Sequence, residues 1–259
     1  MEIYVQSRGF SQEDGYCWVP EMPAILTTNP VSDLIQSEAP SFVLGRYGSK
    51  LLLLVTGLEA SERRDFRDRK IRNSVAWVGE DSDEDERVLR MIAVRALRDW
   101  DSLREDINRV VQFGGEQGFQ VLFEEIERLT ASNYLPISQK LKTDEELDYK
   151  ISKNLDERKE ELARLLEQYS LPKRTGSLVV VTEIKAEEAL IEAQVWRGLS
   201  ILVKSENWKA IGDRVIPSPA SLPVLSFSQT NEKQTDDNPL ALIILAAVMA
   251  GMMLLGILF

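Results

Sequence analysis

Six cations crowd into ten positions of this sequence and are the residues best suited to bind a ligand. Residues 61–73 read SERRDFRDRKIRN, and the cations are Arg63, Arg64, Arg67, Arg69, Lys70 and Arg72. A guanidinium group binds a phosphate or a carboxylate through two parallel hydrogen bonds. The spacing therefore predicts a loop that binds an anion, such as a nucleotide, a lipid headgroup or the acidic surface of a protein partner.

The same cations are open to a second interpretation, in which they are neutralised within the chain. A predicted strand over Val75–Val78 separates them from an acidic run that consists of Glu80, Asp81, Asp83, Glu84, Asp85 and Glu86. Asp65 and Asp68 add further internal partners within the stretch itself. Runs of charge usually lie on solvated surfaces or pair locally. Internal pairing across the strand is therefore the interpretation against which an external site must be weighed.

The composition excludes several other kinds of chemistry. The 259 residues include no histidine and one cysteine, Cys17, so a Ser-His-Asp relay, a His-ligated zinc and a cysteine cluster are all absent. No glycine-rich run ends in Gly-Lys followed by Ser or Thr, which excludes a P-loop. We assign no catalytic residue, no metal site and no cofactor, and we interpret Cys17 as a small buried apolar side chain.

The elements that must position the cations follow the pattern of an α+β fold. The first 80 residues have the composition of strands and turns, and a hairpin is predicted from Phe42–Leu44 and Lys50–Thr56. Apolar residues then recur every three or four positions, which predicts central helices over 82–110, 118–129 and 144–169. A strand-helix-strand unit follows, with strands over Leu178–Thr182 and Leu199–Val203 and a helix over 185–196.

The segment from Leu240 to Phe259 contains twenty residues and no charge. A helix of that length is about 30 Å long, which matches the hydrocarbon core of a bilayer. We therefore predict one transmembrane helix over 240–259, which acts as a tail anchor inserted after synthesis. Residues 217–239 are rich in Pro, Ser and polar side chains and are predicted to form a flexible linker. Residues 1–216 are the predicted cytosolic globular region, with 1–135 and 136–216 as candidate subdomains.

Small residues four positions apart mark one side of the predicted membrane helix. They are Ala246, Ala247, Ala250 and Gly251. Such spacing lets two helices approach closely in lipid, so these residues are a candidate packing surface for a homo-oligomer. The alternative is that they reflect only the general frequency of Ala and Gly in membrane helices.

The order of motifs in the first 110 residues allows a comparison with a known family. A strand within Ile3–Phe10 leads into Arg8-Gly9, and a turn at Gly15-Tyr16 follows. Thr56-Gly57 then precedes the arginine-rich stretch, and Asn73–Trp77 follows it. This order resembles the N-terminal domain of GTPase-associated proteins in bacterial conflict systems. The resemblance implies a bacterial adaptor or scaffold that couples to a GTPase or an effector, and it transfers no catalytic residue. The membrane segment and the lack of histidine depart from the family's pattern.

Three functions are compatible with these features. The leading one is a tail-anchored membrane adaptor, with its N-terminal domain in the cytoplasm, that holds a protein partner, such as a GTPase, near the bilayer. The second is an effector that oligomerises through the C-terminal helix and perturbs the bilayer. The third is an enzyme that acts on an anionic substrate bound by the cations of 63–72. No nucleic-acid partner is expected, because 42 acidic and 31 basic residues give a net charge of -11.

Overall fold

Nine strands form one mixed sheet, and helices lie on both of its faces. The computed structural model describes residues 1–131 and 138–211. Within these ranges the strands are β1 (Glu2–Ser7), β2 (Cys17–Val19), β3 (Ser41–Tyr47), β4 (Lys50–Arg64), β5 (Lys70–Glu80), β6 (Val111–Phe113), β7 (Phe119–Val121), β8 (Lys150–Lys153), β9 (Gly176–Thr182), β10 (Arg197–Ser200) and β11 (Lys209–Ala210). The α+β class predicted from the sequence is confirmed.

The strand order of the large sheet is β11-β8-β10-β9-β3-β4-β5-β1-β2. β8, β10 and β9 run parallel to one another, whereas β3, β4, β5, β1 and β2 form an antiparallel block. β9 joins the two blocks by pairing antiparallel with β3. β6 and β7 form a separate two-stranded sheet.

The helices divide between the two faces of the large sheet. They are α1 (Ala24–Thr28), a 3-10 helix (Pro30–Leu34), α2 (Asp83–Arg98), α3 (Trp100–Val110), α4 (Phe123–Ala131), α5 (Thr143–Glu146), α6 (Asp156–Gln168) and α7 (Glu187–Glu192). Apolar residues of α2, α3, α4 and α6 pack on one face, and those of the 3-10 helix and α7 pack on the other. Leu53 of β4 faces the first group and Leu52 faces the second, which explains why β4 carries a continuous apolar run.

Several predicted elements are confirmed. β3 and β4 form the predicted antiparallel hairpin, with Phe42 opposite Val55. β9, α7 and β10 form a strand-helix-strand unit whose two strands pair in parallel. In this unit the helix is shorter than predicted, and the second strand begins at Arg197 and ends at Ser200.

The predicted helices differ from the observed ones at their boundaries. The helix over 82–110 is divided at Asp99, whose side chain caps α3 by accepting a hydrogen bond from the Ser102 N–H at 3.1 Å. The helix over 118–129 begins only at Phe123, because Phe119–Val121 pairs with β6. The helix over 144–169 is wrong in its first half, where β8 pairs with β10 and β11.

The predicted linker over 217–239, the transmembrane helix over 240–259 and its small residues lie outside the described residues. Within the ranges 1–131 and 138–211, no helix is both long enough and apolar enough to cross a bilayer.

Candidate functional site: an arginine at a strand bulge

The arginine-rich stretch is not a loop, because most of it belongs to the strands of a long hairpin formed by β4 and β5. The ladder between these strands shifts register twice. At the first shift Gly57 adopts a φ of +76°, a left-handed conformation that favours glycine. At the second shift, residues 60–63 of β4 lie opposite Ile71 alone, between the pairs Glu59–Arg72 and Arg64–Lys70. We call residues 60–63 the β4 bulge.

The β4 bulge directs Arg63 into the protein. Only 8% of Arg63 is exposed. Its Nη2 donates to the Asn73 Oδ1 at 2.6 Å and to the Ser7 Oγ at 2.9 Å, and its Nη1 donates to the Arg8 carbonyl at 3.3 Å. Bulges commonly re-aim a side chain in this way at functional sites.

The charge of Arg63 has no carboxylate beside it. All of its hydrogen-bond acceptors are neutral, and among the described residues it forms no ion pair. Burial lowers the pKa of Arg63 to about 10. Its Nε is buried and has no hydrogen-bond partner. Arg63 is therefore a buried cation with one unsatisfied donor, which is costly unless an anion approaches.

Aromatic rings surround this arginine and its neighbour Arg8. The guanidinium of Arg63 lies 5.5 Å from the ring centre of Phe113, and that ring packs edge-on against Phe10 at 6.4 Å. The guanidinium of Arg8 lies 5.8 Å from Tyr16 and 5.7 Å from Phe66. These cation–π contacts hold the rings in place around the two arginines.

Asp65 organises the turn at the tip of the hairpin. It is 4% exposed, and its Oδ1 accepts the backbone N–H groups of Arg67 at 2.9 Å and Arg69 at 3.0 Å. Its Oδ2 accepts both Nε and Nη2 of Arg69 at 2.9 and 2.7 Å, and Arg8 approaches at 3.4 Å. The hydrogen bonds from Arg69 are the main reason why the pKa of Asp65 falls to about 2. The tip is thus a fixed turn.

The structure divides the six predicted cations into three sets. Arg63 lies inside the bulge, whereas Arg64, Arg67 and Arg69 lie at the exposed tip. Lys70 and Arg72 both pair with Glu59, at 2.7 and 3.4 Å. Arg64 contacts Asp68 at 3.6 Å, and Arg67 lies 5.2 Å from the ring centre of Phe66.

The acidic run of residues 80–86 contacts other cations than the predicted ones. Glu80 pairs with Lys50 at 2.5 Å, and Asp81 and Glu86 both pair with Arg46. This run lies at the opposite end of β5 from the hairpin tip, because β5 extends from Lys70 to Glu80. The pairing of 80–86 with the arginine-rich stretch is therefore wrong. The carboxylates that pair with cations of that stretch are Glu59 and the predicted internal partners Asp65 and Asp68.

A groove of about 570 Å³ opens beside the β4 bulge. Its walls are residues 60–63, the end of α3 and the whole of β6. Asn108 on α3 links the walls, since its Nδ2 donates to the Glu59 carbonyl at 2.9 Å and its Oδ1 accepts from Asn73 at 3.1 Å. In the described part of the chain, no group of His, Cys, Asp or Glu side chains could hold a metal ion.

Sequence reasoning did not assign a role to the residues that surround Arg63. Ser7, Asn73, Asn108 and Phe113 are far apart along the chain and meet only because β1, β5, α3 and β6 converge. The prediction of Cys17 as a buried side chain is also inexact, because Cys17 is only partly buried. Its Sγ contacts the Gln117 Oε1 at 3.5 Å, near the same end of the sheet.

Comparisons with protein-family models, with curated proteins and with solved structures find no match to this chain. The resemblance of the first 110 residues to bacterial GTPase-associated proteins therefore stays a prediction.

Proposed function

We propose that this chain is a membrane-anchored adaptor that binds a cytosolic protein partner through its hairpin end. The hairpin end consists of the β4–β5 tip with the β4 bulge (60–72), the β1–β2 loop (8–16) and β6. The observation that carries the proposal is the exposure of its aromatic side chains: Phe10 is 60% exposed, Tyr16 46% and Phe113 42%. Aromatic and arginine side chains are the types most enriched at protein interfaces.

The contacts within the hairpin end favour binding by a rigid surface. Phe113 is held by Arg63 and Phe10, and Tyr16 is held by Arg8 and accepts the Arg72 backbone N–H at 3.1 Å. Side chains that are already ordered lose little conformational entropy on binding. The surrounding cations at the tip would attract an acidic partner surface.

The membrane part of the proposal is supported by the sequence of residues 240–259, which is long enough and apolar enough to span a bilayer. The linker of about 23 residues before it would give the globular region a reach of roughly 25 Å. A GTPase is the partner class that the family resemblance supports. This arrangement describes an adaptor that holds its partner close to the membrane.

Proximity labelling tests this proposal. A biotin ligase fused to the N-terminus of the full chain would be expressed in the cells that naturally make the protein, with and without Phe10→Ser and Phe113→Ser. A matched control is Leu147→Ser, since Leu147 is 61% exposed and lies before β8, towards the other edge of the sheet. We expect specific proteins to be labelled by the parent and the control but lost in the double variant. Identical labelling in all three would reject the proposal.

A further inference from the structure

We infer that the groove beside the β4 bulge binds an extended peptide and that Arg63 receives a carboxylate of that peptide. This inference rests on the proposed function, because the peptide is a segment of the protein partner. Beyond that function, it specifies a carboxylate as the recognised group, Arg63 as the residue that binds it, and an extended segment as the bound part of the partner.

The unneutralised charge of Arg63 is the first argument. Arg63 is 8% exposed, lines the groove, and donates only to neutral acceptors. Glu62 and Glu105 also line the groove, but neither lies within ion-pair distance of Arg63. Since Nε has no partner, its N–H remains for a ligand oxygen. A carboxylate oxygen satisfies this donor and supplies the missing negative charge.

The walls of the groove are the second argument, and they favour a peptide. One wall is the β4 bulge, whose residues leave the regular ladder with β5. The opposite wall includes β6, which pairs only with β7 among the described strands and so keeps one unpaired edge. An extended peptide can add its backbone hydrogen bonds to such an edge while its side chains occupy the groove.

The charge and donor count favour a carboxylate over a phosphate. A phosphate group carries about 1.5 to 2 negative charges and is usually bound by several donors. Here Nη1 and Nη2 of Arg63 already donate to protein acceptors, and the second cation of the groove, Arg109, pairs with Asp106. Two acidic side chains, Glu62 and Glu105, line the same groove. A single carboxylate needs fewer donors and meets less repulsion from these two groups.

Arginine side-chain NMR provides a direct test on the full chain in detergent micelles. The protein would carry ¹⁵N-labelled arginine, and the Nε–H signal of Arg63 would be assigned by its absence from Arg63→Lys. The probes are acetylated tetraglutamate amide, its neutral analogue tetraglutamine amide, and inorganic phosphate. We expect tetraglutamate to shift the Arg63 signal in a saturable manner and tetraglutamine to leave it unchanged.

Fluorescence anisotropy with labelled tetraglutamate provides the affinity. Gln112→Trp fills the groove from β6 without removing Arg63, and Arg63→Gln removes the cation. Both are expected to weaken binding at least tenfold. Arg164→Gln is the matched control, because it makes the same charge change at an exposed position on α6. The measurement on the parent protein remains decisive even if Arg63→Gln fails to fold.

Two results would overturn the inference. If phosphate shifts the Arg63 signal and tetraglutamate does not, the groove is a phosphate site. If tetraglutamate binds but leaves Arg63 unshifted and tolerates Gln112→Trp, the peptide lies on the exposed tip cations instead. Either result leaves the adaptor proposal standing, since that proposal is judged by the labelling of Phe10 and Phe113 variants.

Discussion

Replacing Glu86 by Gln is expected to destabilise the fold by about 3 kcal/mol, because it removes the negative charge between two buried arginines. Glu86 is 1% exposed and lies in the first turn of α2. Its oxygens accept Arg46 Nη2 and the Leu171 N–H, both at 2.8 Å, and Arg90 Nε approaches at 3.4 Å. Arg90 is itself 1% exposed, and burial lowers its pKa.

The expected loss of about 3 kcal/mol depends on which contacts remain after Glu86 is replaced by Gln. Removing one partner of a buried ion pair typically costs 3–5 kcal/mol, since the other charge stays buried. Arg46 retains an ion pair with Asp81, and Gln retains an acceptor for the Leu171 N–H. Arg90 retains its hydrogen bonds to the carbonyls of Leu166 and Tyr169. These remaining contacts place the expected cost at the lower end of the range.

Urea unfolding of the full chain in a mild detergent measures this cost. Tryptophan emission reports the transition, because Trp77 and Trp196 are only 2% and 1% exposed. The matched control is Glu84→Gln, an exposed position in the same helical turn with the same change of charge. We expect the control to lie within about 0.5 kcal/mol of the parent. A Glu86→Gln variant within 1 kcal/mol of this control would refute the reasoning.

Three further predictions follow from the same structure. The free energy of unfolding should fall as the pH drops from 3.8, the ordinary pKa of an aspartate, towards about 2, the lowered pKa of Asp65. The ionised Asp65 stabilises the fold fully above pH 3.8, and this stabilisation is lost as the carboxylate is protonated. Asp65→Asn should make this step smaller in acid-unfolding curves, since Glu59 and Glu160, whose pKa values are also lowered, keep their own contributions. An unchanged curve would contradict the assignment. Gly57→Ala should lower the stability measured by thermal unfolding by more than about 1 kcal/mol, since the φ of Gly57 is +76° and a Cβ would lie 2.3 Å from the Ala39 carbonyl. The control Gly15→Ala should leave stability unchanged, because a Cβ at Gly15 meets nothing within 4 Å. Arg69→Gln and Glu84→Gln should be additive within about 0.5 kcal/mol in a double-mutant cycle, because Arg69 pairs with Asp65; measured coupling would restore the pairing predicted from the sequence.

The fold is predictable from sequence where one local pattern has one structural meaning. The apolar run of β4 and the adjacent turn predict the β3–β4 hairpin correctly, because a short run bounded by turn residues fits a buried strand. The sequence wrongly predicts helix at β8, because the apolar positions Leu147, Ile151 and Leu155 also fit a helical period. Ile151 is fully buried only because β8 pairs with β10, about 45 residues later in the chain. Such a long-range partner leaves no local signal.

The candidate site shows the same limit. Composition was sufficient to single out the arginine-rich stretch as unusual in an acidic chain. It could not distinguish Arg63 from Arg64 or Arg69, since the three side chains have identical chemistry and adjacent positions. The difference arises from the register shift of β4 against β5, which turns Arg63 inward and leaves the others exposed. Register depends on pairing over the whole hairpin and is not written in a short motif.

The position of β3 in the sheet has a consequence for the synthesis of the protein. One edge of β3 pairs with β4, which follows directly, whereas the other pairs with β9, which follows about 130 residues later. At translation rates of about 5 to 20 residues per second, that edge waits roughly 6 to 26 s for its partner. All seven residues of β3 are buried in the finished protein, and four of them, Phe42, Val43, Leu44 and Tyr47, carry large apolar or aromatic side chains. The nascent chain therefore presents a partly apolar, unpaired strand throughout this interval. Slower translation between β3 and β9 therefore lengthens the time in which nascent chains can aggregate or recruit a chaperone.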